Sequence, residues 1–296
     1  MKKPDFFIVG APKSGTTALN NYLSQHPDVF MAKKELHRFG SDLKMKIIPS
    51  EEEYLQSFQY AGEGKLIGEA SVWYLFSKTA AAEIKSFSPA AKIIIMLRNP
   101  AEMLPSLHSQ NLYNGNEDTK NFKKALDLDV ERKIGKSLPE SIDFFALPSY
   151  FDSALYFEQV KRYLDIFGKA NVQIILYDDF IKNTQQIFLD TLKFLNLGSD
   201  TKIQFSVINP NKKVKLFGLH KFLKSPPKKI KKIVRIVLPA KKIRHKIMLT
   251  LFKLNSAEQK RKDMNEALRK ELITFYKDDI QKLGKLINRD LSNWTK

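Results

Sequence analysis

Apolar positions in the first two thirds of the chain follow two spacings in turn. Phe6-Phe7-Ile8-Val9 is a continuous apolar run closed by Gly10, the pattern of a strand buried on both faces. Ala18, Leu19, Tyr22 and Leu23 then fall at helical spacing, which predicts a helix over 17–26, ended by Pro27. The alternation recurs. Strands are predicted at Leu66–Gly68, Lys92–Leu97 and Val172–Leu176, and helices at 79–87, from Pro100 to about Tyr113, at 150–167 and at 180–195. Strands alternating with helices predict an α/β fold with a central parallel β-sheet flanked by helices.

Beyond Leu197 the pattern changes. Asn209-Pro210-Asn211-Lys212-Lys213 reads as a loop. Ile230, Ile233, Val234 and Val237 mark an amphipathic helix that Pro239 breaks, and a second follows over 243–254. The tail over 257–286 reads as helical and leads into Arg289-Asp290-Leu291-Ser292-Asn293-Trp294. No internal repeat or low-complexity linker interrupts the chain. The expected organisation is one domain over 1–296, with an α/β core at 1–208 and a basic, helical C-terminal portion at 209–296.

Composition adds little until charge is placed along the chain. At 43% hydrophobic and 28% charged residues, the 296-residue chain has the make-up of a globular protein. The absence of cysteine excludes disulfides, thiolate-bound zinc and thiol catalysis. The net charge is +18, and sixteen Lys or Arg residues with no acid lie between Thr201 and Ala257. That block can face an anionic membrane, a polyanionic glycan or nucleic acid, or can simply be a solvated basic face. No sequence-reading nucleic-acid motif accompanies it. Phe6–Val9 is too brief for a signal peptide, and Ile93–Leu97, the longest later apolar run, is far short of a membrane span. A cytoplasmic protein is the expectation, and the block over 212–253 stays open between contact at the inner membrane face, contact with a polyanionic glycan, and a solvated face.

Gly10-Ala11-Pro12-Lys13-Ser14-Gly15-Thr16-Thr17 carries the chemistry. It has the two glycines and the final hydroxyl of a nucleotide P-loop, G-x-x-x-x-G-K-[ST], but residue 16 is threonine and the lysine stands at 13. A glycine loop between a strand and a helix aims backbone N–H groups and the helix N-terminus at an anion. The strand Lys92–Leu97 runs into Arg98, where a nucleotide triphosphatase would offer an aspartate for Mg²⁺. Cations in place of metal ligands suit a sulfuryl group, which carries less charge than a terminal phosphoryl group. Two alternatives stand beside this reading: a metal-dependent P-loop kinase or NTPase, and a basic membrane- or nucleic-acid-binding module.

GAPKSGTT together with Leu97-Arg98-Asn99-Pro100-Ala101-Glu102-Met103-Leu104-Pro105-Ser106 resembles the two signatures of sulfotransferases that use 3′-phosphoadenosine 5′-phosphosulfate (PAPS). The likeness continues through Gly115-Asn116-Glu117 and the terminal Arg289–Trp294, and is weakest around 213–256. It implies that Lys13, Ser14, Gly15, Thr16 and Thr17 grip the 5′-phosphosulfate of the donor. Arg98, and Ser106 eight residues on, would bind the 3′-phosphate. The alternative for Arg98 is a helix-entry cation paired to an acid. Lys212 and Lys213 stand about where the family places a basic loop over the adenosine, although the glycine many members have nearby is missing. The product would be the 3′,5′-bisphosphate (PAP), with no metal.

Lys34-Glu35-Leu36-His37-Arg38-Phe39 is similar to the K-E-x-H-x-F pattern of the branch acting on carbohydrates. The resemblance implies that Glu35 is the general base for the acceptor hydroxyl and that Lys13 stabilises the leaving phosphate oxygen. The alternative for Glu35 is a surface glutamate paired with Lys33 or Lys34. His37 stays open between second base, acceptor contact and packed histidine. Glu69, in Gly68-Glu69-Ala70-Ser71, matches a family segment lining the acceptor cleft, and many members have lysine where this chain has Ala70. Tyr74 is a further cleft or core residue. The implied acceptor is a hydroxyl on a glycan, a glycolipid or a small molecule.

Overall fold

The computed structural model describes residues 2–43, 48–139, 149–206, 212–224, 230, 234, 236–238, 240–258 and 264–296. Five parallel strands, β1 (Phe6–Gly10), β2 (Val29–Met31), β3 (Leu66–Ala70), β4 (Lys92–Leu97) and β5 (Val172–Leu176), form a sheet of order β2-β3-β1-β4-β5. Phe6, Phe7, Ile8 and Val9 are fully buried, as are Ile93–Leu97, because helices cover both faces. Phe6 and Ile8 pack with Leu19, Tyr22 and Leu23 of the helix Thr16–Leu23 and with Phe188 and Leu192 of the helix Thr184–Leu195. Phe7 points the other way, against the ring of Phe39. A Cβ on Gly68 would lie 2.3 Å from the Phe6 ring and 2.5 Å from Met31 Sδ, so neighbouring β1 and β2 require glycine there.

From β1 the chain goes to one side, through β2 and β3, and then to the other, through β4 and β5. This makes β1 the switch point of the sheet, the place where open α/β sheets hold ligands beyond the carboxyl ends of their strands. The segments leaving β1, β2, β3 and β4 contain Lys13–Thr17, Glu35 and His37, Ser71, and Arg98 respectively.

All four predicted strands and the parallel sheet are present. Strand β2 was not anticipated, since three residues carry too little pattern. The helix Glu51–Gln56 was also missed, although Ser50 and Glu53 close a capping box at its start. The predicted helix over 150–167 is two, Tyr150–Ser153 and Tyr156–Phe167. The Asp279 carboxylate accepts from the N–H groups of Tyr156 and Phe157 and so caps the second from a distant part of the chain. The predicted helix over 180–195 divides into Tyr177–Lys182 and Thr184–Leu195, where the Asn183 side chain accepts from Gln186 N–H.

Close contacts group the chain into two compact units. One comprises 1–104, 144–208 and 265–296, and the other 105–143 and 209–264. A division at 208/209 therefore cuts across both. The tail helix Glu266–Ile287 belongs with the sheet: Tyr276 donates to Phe151 O, Trp294 donates to Asp178, and Arg289 pairs with Asp179. It starts at Glu266, where Asn265 caps it. Residues 256–258 form a strand.

In the second unit, Glu117 and Arg132 form a buried two-pronged ion pair, at 2.6 and 2.9 Å. Burial raises the Glu117 carboxyl, but the Arg132 guanidinium, the Thr119 N–H and the nearby His108 together hold the group below its ordinary value. Lys212 and Lys213, read from sequence as part of a loop, lie in strand β6 (Lys212–Val214), antiparallel to β7 (Ser256–Glu258). Buried Asn255, just before β7, extends this strand pair by bonding Leu216 N–H and O through its side chain. The helix Lys241–Leu254 covers the predicted 243–254, and a further helix, Phe217–Lys224, stands where none was predicted. Ile230, Val234, Ile236 and Val237 are helical. Asn209–Asn211, Ile233 and Pro239 lie outside the described residues.

Candidate active site

The loop after β1 turns through left-handed backbone at Lys13 (φ 61°) and Gly15 (φ 92°) before entering the helix Thr16–Leu23. A Cβ at Gly15 would meet Met96 Cε at 3.2 Å and the Phe180 ring at 3.3 Å, so conformation and space both call for glycine. No side chain caps this helix and its first turn holds no acid, which leaves its positive end to an anion. Ser14 and Thr16 are buried within the loop, while Lys13, Gly15 and Thr17 are half-buried. This glycine cradle with an uncapped helix end fits a phosphosulfate.

The segment after β2 forms a second wall. It continues along β3, with Ala32 N–H donating to Gly68 O and Glu35 N–H to Ala70 O, and then turns through left-handed Glu35 (φ 64°) and His37 (φ 51°). Lys34 Nζ donates to the hydroxyls of Thr16 (3.2 Å) and Thr17 (3.0 Å) and lies 3.6 Å from Glu35 Oε1. Glu35 Oε2 accepts from Val72 N–H and stands 3.2 Å from His37 Nε2. Burial depresses the Lys34 ammonium, against the pull of Glu35. Burial likewise holds the His37 ring below its ordinary value, which keeps it neutral near pH 7. Glu35 thus sits between an ammonium and an imidazole, yet 35% of its side chain remains exposed.

Two of the residues assigned to acceptor contact are placed differently. Glu69 and Tyr74 are fully buried and present no surface to an acceptor, because β3 and the segment after it are covered on both faces. Their hydrogen bonds support the wall above. The Ser71 hydroxyl donates to Glu69 Oε1 at 2.5 Å and accepts from His37 N–H, and the Tyr74 hydroxyl accepts from Arg38 N–H. Burial lifts the Glu69 carboxyl to about 8, helped by the nearby Glu35 carboxylate and opposed by the Ser71 hydroxyl.

Arg98, at the end of β4, reaches the loop. Its Nη1 donates to Lys13 O at 3.4 Å, and its guanidinium lies 4.5 Å from the centre of the Tyr177 ring. It also pairs with Glu102 at 3.5 Å, the acid partner that the alternative reading foresaw. Ser106 is buried in the helix Pro100–Asn114 and belongs to the second unit. Lys212 and Lys213 also belong to that unit, in β6 opposite Glu258 and Ala257. The α/β unit therefore assembles Lys13–Thr17, Glu35, His37 and Arg98 by itself. The sequence reading gave no role to Ser71 or Tyr177, and considered Lys34 only as a partner for Glu35. Its position one residue before Glu35, in the segment that leaves β2, was the available signal.

The model of the sulfotransferase domain matches residues 3–285. The chain belongs to the sulfotransferase domain family. A solved sulfotransferase from Alicyclobacillus acidocaldarius is 29% identical and superposes over all of both chains with a TM-score of 0.74. Carbohydrate sulfotransferase 15 from Mus musculus is 30% identical over 66% of this chain and 44% of its own length. The bifunctional heparan sulfate N-deacetylase/N-sulfotransferase 1 from Caenorhabditis briggsae is 26% identical over 69% of this chain and 24% of its own. The chain thus spans less than half the length of these curated relatives.

Proposed function

We propose that this chain transfers a sulfuryl group from PAPS to a hydroxyl of a carbohydrate, with Glu35 as general base. One observation carries the reading: a partly exposed carboxylate is tied, through Lys34, to the threonines of an anion-binding loop. Family membership and the names of the curated relatives support the reaction class and the carbohydrate acceptor.

The acceptor oxygen bonds to sulfur as the bond from sulfur to the bridging phosphate oxygen breaks, and PAP leaves. The acceptor proton passes to Glu35, whose carboxylate is oriented by Val72 N–H and His37. Neutral His37 steadies the base and leaves it able to accept. Lys13 and Lys34 supply positive charge beside the loop, where negative charge develops on the leaving phosphate. Arg98 supplies a contact to the 3′-phosphate.

Incubation with ³⁵S-labelled PAPS and a panel of glycans, glycolipids and phenols tests the proposal. Label should move to a sugar hydroxyl, with PAP as the co-product and with EDTA present. Transfer only to phenols would overturn the carbohydrate reading. Magnesium-dependent phosphoryl transfer from ATP, without sulfuryl transfer, would overturn the whole.

A further inference from the structure

The second unit exposes apolar side chains in an unusual concentration. Of the nineteen large hydrophobic residues exposed among the described residues, eleven lie between Leu216 and Leu254. On the helix Lys241–Leu254 they are ordered. Ile243, Ile247, Leu251 and Leu254 recur at intervals of four, four and three, so they form one stripe, and they are 52, 41, 39 and 65% exposed. Ile236 and Val237, on the preceding helical segment, are about 70% exposed. The stripe lies within the block that holds sixteen basic residues and no acid. Arg244 and Lys246 stand on its two flanks by helical position.

We infer that this basic segment docks the protein on an anionic lipid bilayer, with the Ile243–Leu254 stripe entering the boundary between headgroups and acyl chains. Charge and apolarity together select the occupant. A sulfated glycan or nucleic acid would meet the cations but leave the apolar stripe in water. A second copy of the chain could cover the stripe but would bring sixteen like charges against sixteen. An anionic bilayer satisfies both, since lysines reach the headgroups while the stripe is buried. Among the described residues no helix is long and apolar enough to cross a membrane, so the docking lies in the interface. Lys228, Lys229, Lys231 and Lys232, the lysines most crowded in the sequence, lie outside the described residues.

Flotation of the full chain with vesicles tests the inference. It should float with vesicles of equal parts phosphatidylglycerol and phosphatidylcholine, and not with phosphatidylcholine alone. The triple substitution Ile243→Asn, Ile247→Asn, Leu251→Asn leaves net charge unchanged and should cut flotation at least tenfold. Retention on heparin and binding of PAP should stay unchanged, which shows that the variant is folded. Equal flotation of parent and variant would reduce the contact to charge alone and overturn the insertion of the stripe. Parent protein that ignores the vesicles but is held by heparin would assign the face to a polyanionic glycan instead.

Discussion

Strand β4 and the helix Lys241–Leu254 both place isoleucines and leucines at the periodic positions of their elements, and their surroundings could hardly differ more. Ile93 to Leu97 have no exposed surface, whereas Ile243 and Leu254 leave half or more of theirs in solvent. Strand β4 lies between β1 and β5 with helices on both faces of the sheet. Covering a side chain of that size contributes about 1.5–3 kcal/mol, and in β4 folding itself supplies it. In the basic segment the same contribution is withheld until something outside the chain covers the stripe. Periodicity tells which residues share a face. What lies against that face is a separate matter, and charge decides part of it. Sixteen cations without an acid discourage close packing of that segment upon itself.

The comparison assigns chemistry to the α/β unit and docking to the basic segment, and it can be broken from either side. The largest effect is expected from Glu35→Gln, which keeps size and removes basicity. Turnover should fall by about 10²–10⁴ while vesicle flotation and PAP binding persist. Near-normal turnover would move the base elsewhere, with His37 the first candidate.

The second unit exposes much of its apolar surface, so its buried ion pair should weigh heavily. Arg132→Ala leaves Glu117 buried without its guanidinium and should cost about 3–5 kcal/mol in urea unfolding. Lys123→Ala, which breaks an exposed pair with Asp127, should cost no more than about 1 kcal/mol. Similar costs for the two would erase the distinction between them.

In the α/β unit, Arg98→Ala removes a charge-assisted contact and should weaken PAP binding by about 1.5–3 kcal/mol, read by calorimetry. The parent should prefer PAP to 5′-AMP, and the variant should lose most of that preference. A parent that binds both nucleotides equally would remove Arg98 from the 3′-phosphate site.

The last effect concerns Glu69, buried under the base. Its carboxyl sits at about 8 in the folded protein, above its ordinary 4.5, so the folded state holds a proton that the unfolded chain has released between those values. That contribution is complete below the ordinary value and is lost as pH rises toward 8, at up to about 1.4 kcal/mol per pH unit. Glu69→Gln should flatten the dependence of urea stability between about pH 5.5 and 7.5. An unchanged slope would mean that Glu69 is ionised in the folded protein.

The sequence by itself determined the α/β class, four of the five strands of the sheet and the anion loop. Each rests on local rules: continuous apolar runs such as Phe6–Val9, glycines at fixed separation, and cations at strand ends. It also brought Glu35 and His37 into view through a short resemblance. Tertiary structure decided what had no local signal. Val29–Met31 is a strand because β3 pairs with it, and the break at Ala154–Leu155 follows from a carboxylate more than a hundred residues away. Glu69 and Tyr74 became supports rather than acceptor contacts once the layers closed over them. Lys34 gained its place from the two loop threonines that parallel pairing set beside it. Whether an apolar stripe ends in a core or in solvent was likewise beyond the pattern, because burial depends on what the rest of the chain can bring against it.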